Sequence, residues 1–149
     1  MYISTKTYGH NIGLSAAFRQ WRADSHCKYI HGYALQVRLE FISHELDERN
    51  WVVDFGSLKG FKTWLENTFD HKLLVAEDDP QRTRLAHLET YGLARIVVVP
   101  ATGCEAFAKL IYECGEVWLK DNGYAPRVAM HRVEVSEHGA NSAIYYRGE

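Results

Sequence analysis

The sequence predicts an α+β domain in which two helices cover one face of an antiparallel sheet. Three observations lead to this prediction. Polar and apolar residues alternate over residues 33–42, two later segments repeat apolar residues at helical spacing, and strand patterns at residues 127–136 and 142–147 end the chain. Helices grouped between runs of strands, without strict strand–helix alternation, are typical of a sheet covered on one face.

The strand at residues 33–42 has the clearest pattern. Its apolar side chains point to one side and its polar side chains to the other: Leu35, Val37, Leu39 and Phe41 against Gln36, Arg38 and Glu40. This two-residue period predicts one covered face. The other face carries few charges for a surface open to water, which favours association with further copies of the chain. Residues 3–17 indicate a weaker strand, and residues 44–50 a hairpin loop.

The first helix is predicted to begin after Asp54, a good N-cap residue. Its apolar positions recur at helical spacing: Phe55, Leu58, Phe61, Leu65 and Phe69. Residues 78–92 are predicted to be a loop with one helical turn, and residues 96–99 a short strand.

The second helix is predicted to begin at Thr102, because Thr102 and Glu105 have the spacing of a capping box. Gly123 marks its end. Its apolar stripe is formed by Phe107, Leu110, Ile111, Cys114 and Trp118.

Composition narrows the class of protein. A length of 149 residues without a linker or repeat predicts a single domain over residues 1–149. The net charge of -2 argues against a nucleic-acid binder. No apolar run is long enough to span a bilayer and no signal peptide begins the chain, so we expect a cytoplasmic protein. Three cysteines without a paired spacing fit reduced thiols.

The densest group of reactive side chains lies in residues 26–33. Cys27 stands between His26 and Lys28, and basic neighbours favour the thiolate that a nucleophile or base requires. His31 begins the main strand, where its side chain can face a cleft. The alternative is that Cys27 is a small buried residue and His31 a hydrogen-bonded surface histidine.

Two acidic positions and one acid–imidazole pair complete the candidate site. Asp70 can orient His71 for acid–base work, although adjacent side chains on a helix do not face each other. Glu137 follows a strand and can accept two parallel hydrogen bonds from the edge of a guanine-like ring, or it is a solvated loop residue. Glu105 is either a site residue or only the capping partner of Thr102.

In order and spacing, these residues resemble the 6-pyruvoyl/6-carboxy-tetrahydropterin synthase family from about residue 8 to residue 149. The matching blocks are Ser15-Ala16-Ala17, Cys27 to His31-Gly32, Val53-Asp54-Phe55-Gly56-Ser57-Leu58-Lys59, Asp70-His71, Glu105, Val135-Ser136-Glu137 and Tyr145-Tyr146-Arg147-Gly148-Glu149. The closest likeness is to the bacterial 6-carboxy-tetrahydropterin synthases of the 7-deazaguanine (queuosine) pathway.

The resemblance implies a tunnelling fold, in which a four-stranded antiparallel sheet with two helices on one face joins an oligomeric barrel. It implies a homo-oligomer, a trimer or a hexamer, with a pterin substrate bound between subunits. It also implies that Cys27 is the catalytic base, that Asp70 and His71 assist it, and that Glu137 and Glu105 lie in the pterin pocket.

The resemblance further implies a zinc ion held by three histidines, but this chain has Phe18 and Tyr33 at two of those positions and keeps only His31. A phenyl ring cannot bind zinc, and a neutral tyrosine is a poor ligand. His10 lies about 26 Å along an extended strand from Phe18. His26 and Cys27 are better candidates for a replacement ligand, but neither has the required spacing. We therefore expect zinc to be weak, remodelled or absent.

Three functions remain open from the sequence. The first is a lyase acting on 7,8-dihydroneopterin triphosphate with a degenerate zinc site. The second is a homologue that binds a pterin or purine without zinc and has altered or lost catalysis. The third is an oligomer with a purely structural role.

Overall fold

The computed structural model describes residues 1–148, which form seven strands and three α-helices. The strands are β1 (Tyr2–Tyr8), β2 (Leu14–Phe18), β3 (His31–Ser43), β4 (Lys72–Ala76), β5 (Ile96–Val99), β6 (Val128–His138) and β7 (Asn141–Tyr145). The helices are α1 (Lys59–Phe69), α2 (Arg82–Thr90) and α3 (Cys104–Asp121). Short 3-10 turns cover His10–Ile12, His26–Lys28 and Phe55–Leu58.

One mixed sheet has the strand order β5-β4-β2-β3-β6-β7, and β1 pairs with the far half of β3. Both β1 and β2 run antiparallel to β3, with Tyr8 opposite Val37 and Leu14 opposite Leu35. The predicted strand at residues 3–17 is therefore two strands, separated by a turn that ends at Gly13 in the left-handed region (φ 75).

The α+β prediction is confirmed, but the sheet has seven strands where four were predicted, and there are three helices where two were predicted. β4 escaped prediction because it lies between parallel β5 and β2 and is buried almost throughout, so its residues do not alternate. The predicted single turn within residues 78–92 is the nine-residue helix α2, whose one buried residue is Leu85. Residues 44–50 lead into a helix and do not close a hairpin.

The core lies between the sheet and the helix pair α1 and α3. The four apolar side chains predicted to share the covered face of β3 are at most 1% exposed: Leu35, Val37, Leu39 and Phe41. Rings of the two helices also contact each other, since Phe69 and Phe107 have centroids 5.3 Å apart. Phe55 was predicted to join this core and is 49% exposed, because it begins a 3-10 turn and not the first turn of α1.

The predicted helix ends are confirmed in part. The Asp54 carboxylate accepts a hydrogen bond of 2.8 Å from the Gly56 amide and so caps the 3-10 turn Phe55–Leu58. α1 itself follows this turn and has no side-chain cap. Gly123 follows α3 with φ 75, which closes that helix. The capping box is wrong, because α3 begins after Gly103 and the Thr102 hydroxyl donates to the carbonyl of Arg19 at 2.8 Å.

On the face of the sheet opposite the helices, charged side chains form ion pairs with one another. A bulge in β6 lets Arg132 lie opposite Glu40, whose side chain is only 6% exposed. The Arg132 Nε donates to that carboxylate at 2.6 Å, and Arg38 lies 3.5 Å from it. This face therefore presents neutralised charges beside the exposed apolar residues Ile3 and Ile144. Within residues 1–148, no helix is long and apolar enough to cross a membrane.

Candidate functional site

An aromatic cluster closes one end of the layer between the sheet and α3. We define it as Phe18, His31 and Tyr33. Phe18 ends β2 directly opposite His31 at the start of β3, and Tyr33 follows two residues later on the same side of that strand. The ring centroids lie 5.4 Å apart for Phe18 and His31, 6.1 Å for Phe18 and Tyr33, and 5.5 Å for His31 and Tyr33.

Tyr33 lies near three of the chain's reactive groups. Burial is the main cause that raises the pKa of its phenol, followed by the negative charge of Glu137, then by Cys27 and Cys104. Contacts between the elements agree with this electrostatic influence. The ring of Tyr33 lies 6.2 Å from the ring of His138, the residue after Glu137. Gln20, whose amide bonds the carbonyl of Cys27, has its side chain against Gly103, next to Cys104.

Cys104 belongs to the same group of residues and was missed as a site residue. It is 6% exposed at the start of α3, and burial, followed by the charge of Glu137, raises the pKa of its thiol to about 12. The thiol is therefore protonated at neutral pH. No functional signal marks Cys104 in the sequence, because its local surroundings are those of an ordinary helix start.

Cys27 is half-buried in the 3-10 turn that precedes β3. Its amide donates to the Ser25 hydroxyl oxygen at 3.3 Å, and its carbonyl accepts from the Gln20 amide at 2.9 Å. Arg19 fixes the same loop from the other side, since its guanidinium donates to the carbonyl of Lys28 at 3.3 Å. These contacts fix the turn that carries the thiol, immediately before His31 and Tyr33 on β3.

Arg19 also ties this loop to the segment before α2. Its Nε and one NH₂ group donate to the two oxygens of Asp79 at 2.7 and 2.8 Å. The Asp79 side chain is 1% exposed, and its pKa is lowered, chiefly by these hydrogen bonds from Arg19. A bidentate contact of this kind fixes both the distance and the relative orientation of the two side chains.

Asp70 and His71 form a hydrogen-bonded pair, although they are neighbours in sequence. They lie just past α1, where Asp70 is extended and His71 has φ 56, so the constraint expected inside a helix does not apply. The distance from Nδ1 of His71 to Oδ1 of Asp70 is 3.0 Å, and the same oxygen accepts from the Ser15 amide at 3.0 Å. The His71 side chain is 83% exposed, so its ring is open to a ligand or a neighbouring molecule.

Within one chain, this pair does not lie at Cys27. The amide of His71 donates to Ser15 on β2, whereas Cys27 is bonded to Gln20. Five residues of extended chain separate Ser15 from Gln20, or roughly 16 Å. Glu105 lies on the exposed side of the first turn of α3, next to Cys104. In one chain, Asp70 and His71 are therefore bonded to Ser15, whereas the turn that carries Cys27 is bonded to Gln20, five residues further along.

The three positions of the predicted zinc site do not fit the metal. The phenyl ring of Phe18 is fully buried and packs edge-on against Phe107 at 5.1 Å. The phenol of Tyr33 is held neutral, and His31 alone cannot supply the three protein ligands that catalytic zinc requires. Within residues 1–148, no group of three or more His, Cys, Asp or Glu side chains is placed to hold a metal.

The two other histidines considered from the sequence do not replace the missing ligands. His10 lies in the turn between β1 and β2, and its Nδ1 donates to the carbonyl of Ala34 at 2.5 Å. His26 is exposed in the 3-10 turn beside Cys27.

The sequence is similar to a family of known proteins along nearly all its length. A family model described as 6-pyruvoyl tetrahydropterin synthase matches residues 9–149. A 6-carboxy-5,6,7,8-tetrahydropterin synthase from Aquifex aeolicus is 27% identical over 135 residues, which cover 89% of this chain and 83% of that protein. The protein of the same name from Rickettsia conorii is 28% identical over 71 residues, 47% of this chain and 51% of the relative. This chain thus spans about half the length of that Rickettsia relative.

Solved structures share the fold. An uncharacterized protein from Wolinella succinogenes superposes with a TM-score of 0.82 at 22% identity, over 99% of this chain and 98% of that one. The 6-pyruvoyl tetrahydropterin synthase of Plasmodium vivax superposes with a TM-score of 0.68 at 16% identity, over the whole of both chains. At these identities, the likeness establishes a common fold.

Proposed function

Because this chain belongs to the 6-pyruvoyl tetrahydropterin synthase family, we propose that it is a lyase of the 6-carboxy-tetrahydropterin synthase type. Its proposed substrate is 7,8-dihydroneopterin triphosphate, in the 7-deazaguanine (queuosine) or pterin pathways. The observation that carries the proposal is the position of Tyr33, whose ring lies 6.2 Å from that of His138, next to Glu137, and whose pKa is raised by the charges of Glu137 and Cys27 in addition to burial. A ring-binding carboxylate and a proton-accepting thiol are thereby within reach of one bound heterocycle.

Glu137 has the role of holding the pterin ring. Its carboxylate ends β6 beside the neutral side chains of Tyr33 and Cys104. Neutral neighbours leave its negative charge to be matched by the ligand, and the two parallel N–H groups of a pterin edge fit a carboxylate well. Glu105, on the first turn of α3, is the second carboxylate that we assign to the pocket.

Cys27 has the role of the base that takes a proton from the substrate side chain. A thiolate is the reactive form, and the half-buried turn between His26 and Lys28 presents the sulfur at the edge of the pocket. The backbone contacts of this turn fix the sulfur relative to the ring held by Glu137. Fixed geometry of this kind is a large part of what an enzyme contributes to a proton transfer.

Asp70 and His71 would assist Cys27 from a neighbouring protomer. In one chain they lie roughly 16 Å along β2 from the turn that holds Cys27. Their exposed imidazole is placed to enter a partner's site, and the carboxylate of Asp70 orients it. We therefore propose a cytoplasmic homo-oligomer, a trimer or hexamer whose sheets form a barrel, with each site completed across an interface.

A second candidate function is supported by one observation. Phe18 fills the position of a zinc ligand and is fully buried, so a metal cannot polarise the substrate there. A homologue that binds a pterin or purine without turning it over is consistent with this packing. The two functions share the ring-binding role of Glu137 and differ in the role of Cys27.

The test is incubation of the purified protein with 7,8-dihydroneopterin triphosphate, with and without added zinc, followed by mass spectrometry of the products. We expect a 6-substituted tetrahydropterin from the wild type and none from Cys27→Ala, while Cys114→Ala on α3 serves as the matched control. Binding of neopterin without product would favour the second function. Unaltered neopterin affinity in Glu137→Ala would contradict both.

A further inference from the structure

His31 and Tyr33 stand two residues apart on β3, so both side chains point to the same end of the core. Their rings meet edge-on with centroids 5.5 Å apart. Phe18 packs behind both rings and is itself packed against Phe107. The rings of Phe18 and Phe107 therefore close the side of His31 and Tyr33 that faces the core.

The hydrogen-bonding roles of the two residues differ. Nδ1 of His31 lies 2.7 Å from the carbonyl oxygen of Tyr29, and a carbonyl can only accept, so Nδ1 is the donor in this contact. In the tautomer that this contact selects, Nε2 is an acceptor. The hydroxyl of Tyr33 can donate. The pair offers one acceptor and one donor side by side.

We infer that His31 and Tyr33 form a metal-free subsite for the hydroxylated three-carbon side chain of a pterin. In this subsite, the Tyr33 hydroxyl donates to one side-chain oxygen and Nε2 of His31 accepts from a side-chain hydroxyl. The inference rests on the proposed function, because the ring must first be held by Glu137. In this subsite, His31 and Tyr33 recognise the three-carbon substituent of the pterin directly, without zinc.

Three features support this assignment. The two Cα atoms are about 7 Å apart on one strand, which suits two groups that meet neighbouring oxygens of one short chain. The buried Phe18 ring excludes water behind them, which strengthens the hydrogen bonds that a ligand makes. The ring of Tyr33 lies 6.2 Å from that of His138, the residue after Glu137, so a pterin ring held by the carboxylate brings its substituent toward this pair.

The experiment compares two probes by calorimetry: neopterin, which carries the hydroxylated side chain, and 6-methylpterin, which lacks it. Wild-type protein treated with EDTA and dialysed is compared with untreated protein, and the metal content of both is measured. Tyr33→Phe keeps the ring and removes only the donor. Tyr145→Phe, whose ring packs on Tyr112, is the matched control.

We expect wild-type protein to prefer neopterin about tenfold, as one well-placed hydrogen bond would provide. EDTA should leave this preference unchanged. Tyr33→Phe should lose the preference while its affinity for 6-methylpterin and its melting temperature stay near those of the control. Stoichiometric zinc in the untreated protein, loss of neopterin binding after EDTA, or an unchanged preference in Tyr33→Phe would each overturn the inference. Failure of the wild type to bind either pterin would instead overturn the proposed function on which it rests.

Discussion

The guanidinium of Arg19 holds the buried carboxylate of Asp79 with two hydrogen bonds of 2.7 and 2.8 Å. Arg19 also donates to the carbonyl of Lys28 and accepts, through its own carbonyl, from the hydroxyl of Thr102. One side chain and its backbone thus join the Cys27 loop, the segment before α2 and the start of α3. Substitutions that break this ion pair should therefore alter the position of the Cys27 loop in the candidate site.

Asp79→Asn should lower the free energy of unfolding by about 2–3 kcal/mol, because it leaves the Arg19 charge without its partner. The pKa of Asp79 is lowered in the folded state, so its contribution is present above the unfolded value near 4 and is lost as the pH falls through the folded value. Urea melts at several pH values test this. The difference between wild type and variant should be full at pH 7 and shrink below about pH 4; a constant difference would contradict the assignment.

Phe18→Ala should lower the free energy of unfolding by about 3–4 kcal/mol. The phenyl ring is fully buried against Phe107 and His31, and its removal leaves a cavity that this packed end of the core cannot refill. Phe55→Ala is the matched control, since Phe55 is 49% exposed and its loss should cost less than about 1 kcal/mol. Chemical denaturation of both variants gives the comparison, and equal costs would contradict the described packing.

Gly32→Ala should disturb the pairing of β2 and β3. A Cβ at Gly32 would lie 2.5 Å from the carbonyl oxygen of Ala16, a backbone atom that cannot move aside alone. We expect a loss of about 2 kcal/mol or more in stability, together with weaker pterin binding, because the adjacent His31 would shift. Gly60→Ala in α1 meets nothing within 4 Å and should instead stabilise the protein by up to about 1 kcal/mol. Thermal melts separate the two outcomes.

Cys27→Ala and His71→Ala should each be inactive alone and regain activity when mixed after co-refolding. The reason is that the two residues lie far apart in one chain, so a mixed oligomer can combine an intact Cys27 from one protomer with an intact His71 from another. Turnover of 7,8-dihydroneopterin triphosphate by the mixture measures this. Mixed samples that stay as inactive as the separate variants would contradict a shared site.

Much of the fold followed from local pattern. The polar–apolar alternation of β3 and the apolar stripes of α1 and α3 predict these three elements correctly. Each of them has one buried face and one solvent-exposed face. β4 is buried on both faces and α2 buries only Leu85, so neither presented a periodic signal. Patterns of this kind report amphipathic elements and miss fully buried or mostly exposed ones.

The sequence names candidate site residues but does not predict how they are arranged. Cys27, Asp70, His71 and Glu137 were identified by their order in the chain. That Tyr33 lies beside His138 on one side, and across β2 from Lys72 on the other, depends on the pairing of strands distant in sequence. Cys104 could not be identified, because its importance comes only from its burial beside Glu137.

The packing around Phe18 also limits how this protein could change over evolutionary time. A histidine introduced at that position alone would place a polar ring among Phe107 and its neighbours before a second ligand existed to use it. Tyr33→His alone would supply only two imidazoles, too few for the metal. Reaching a three-histidine centre one substitution at a time therefore passes through variants that disturb this packing or supply too few ligands.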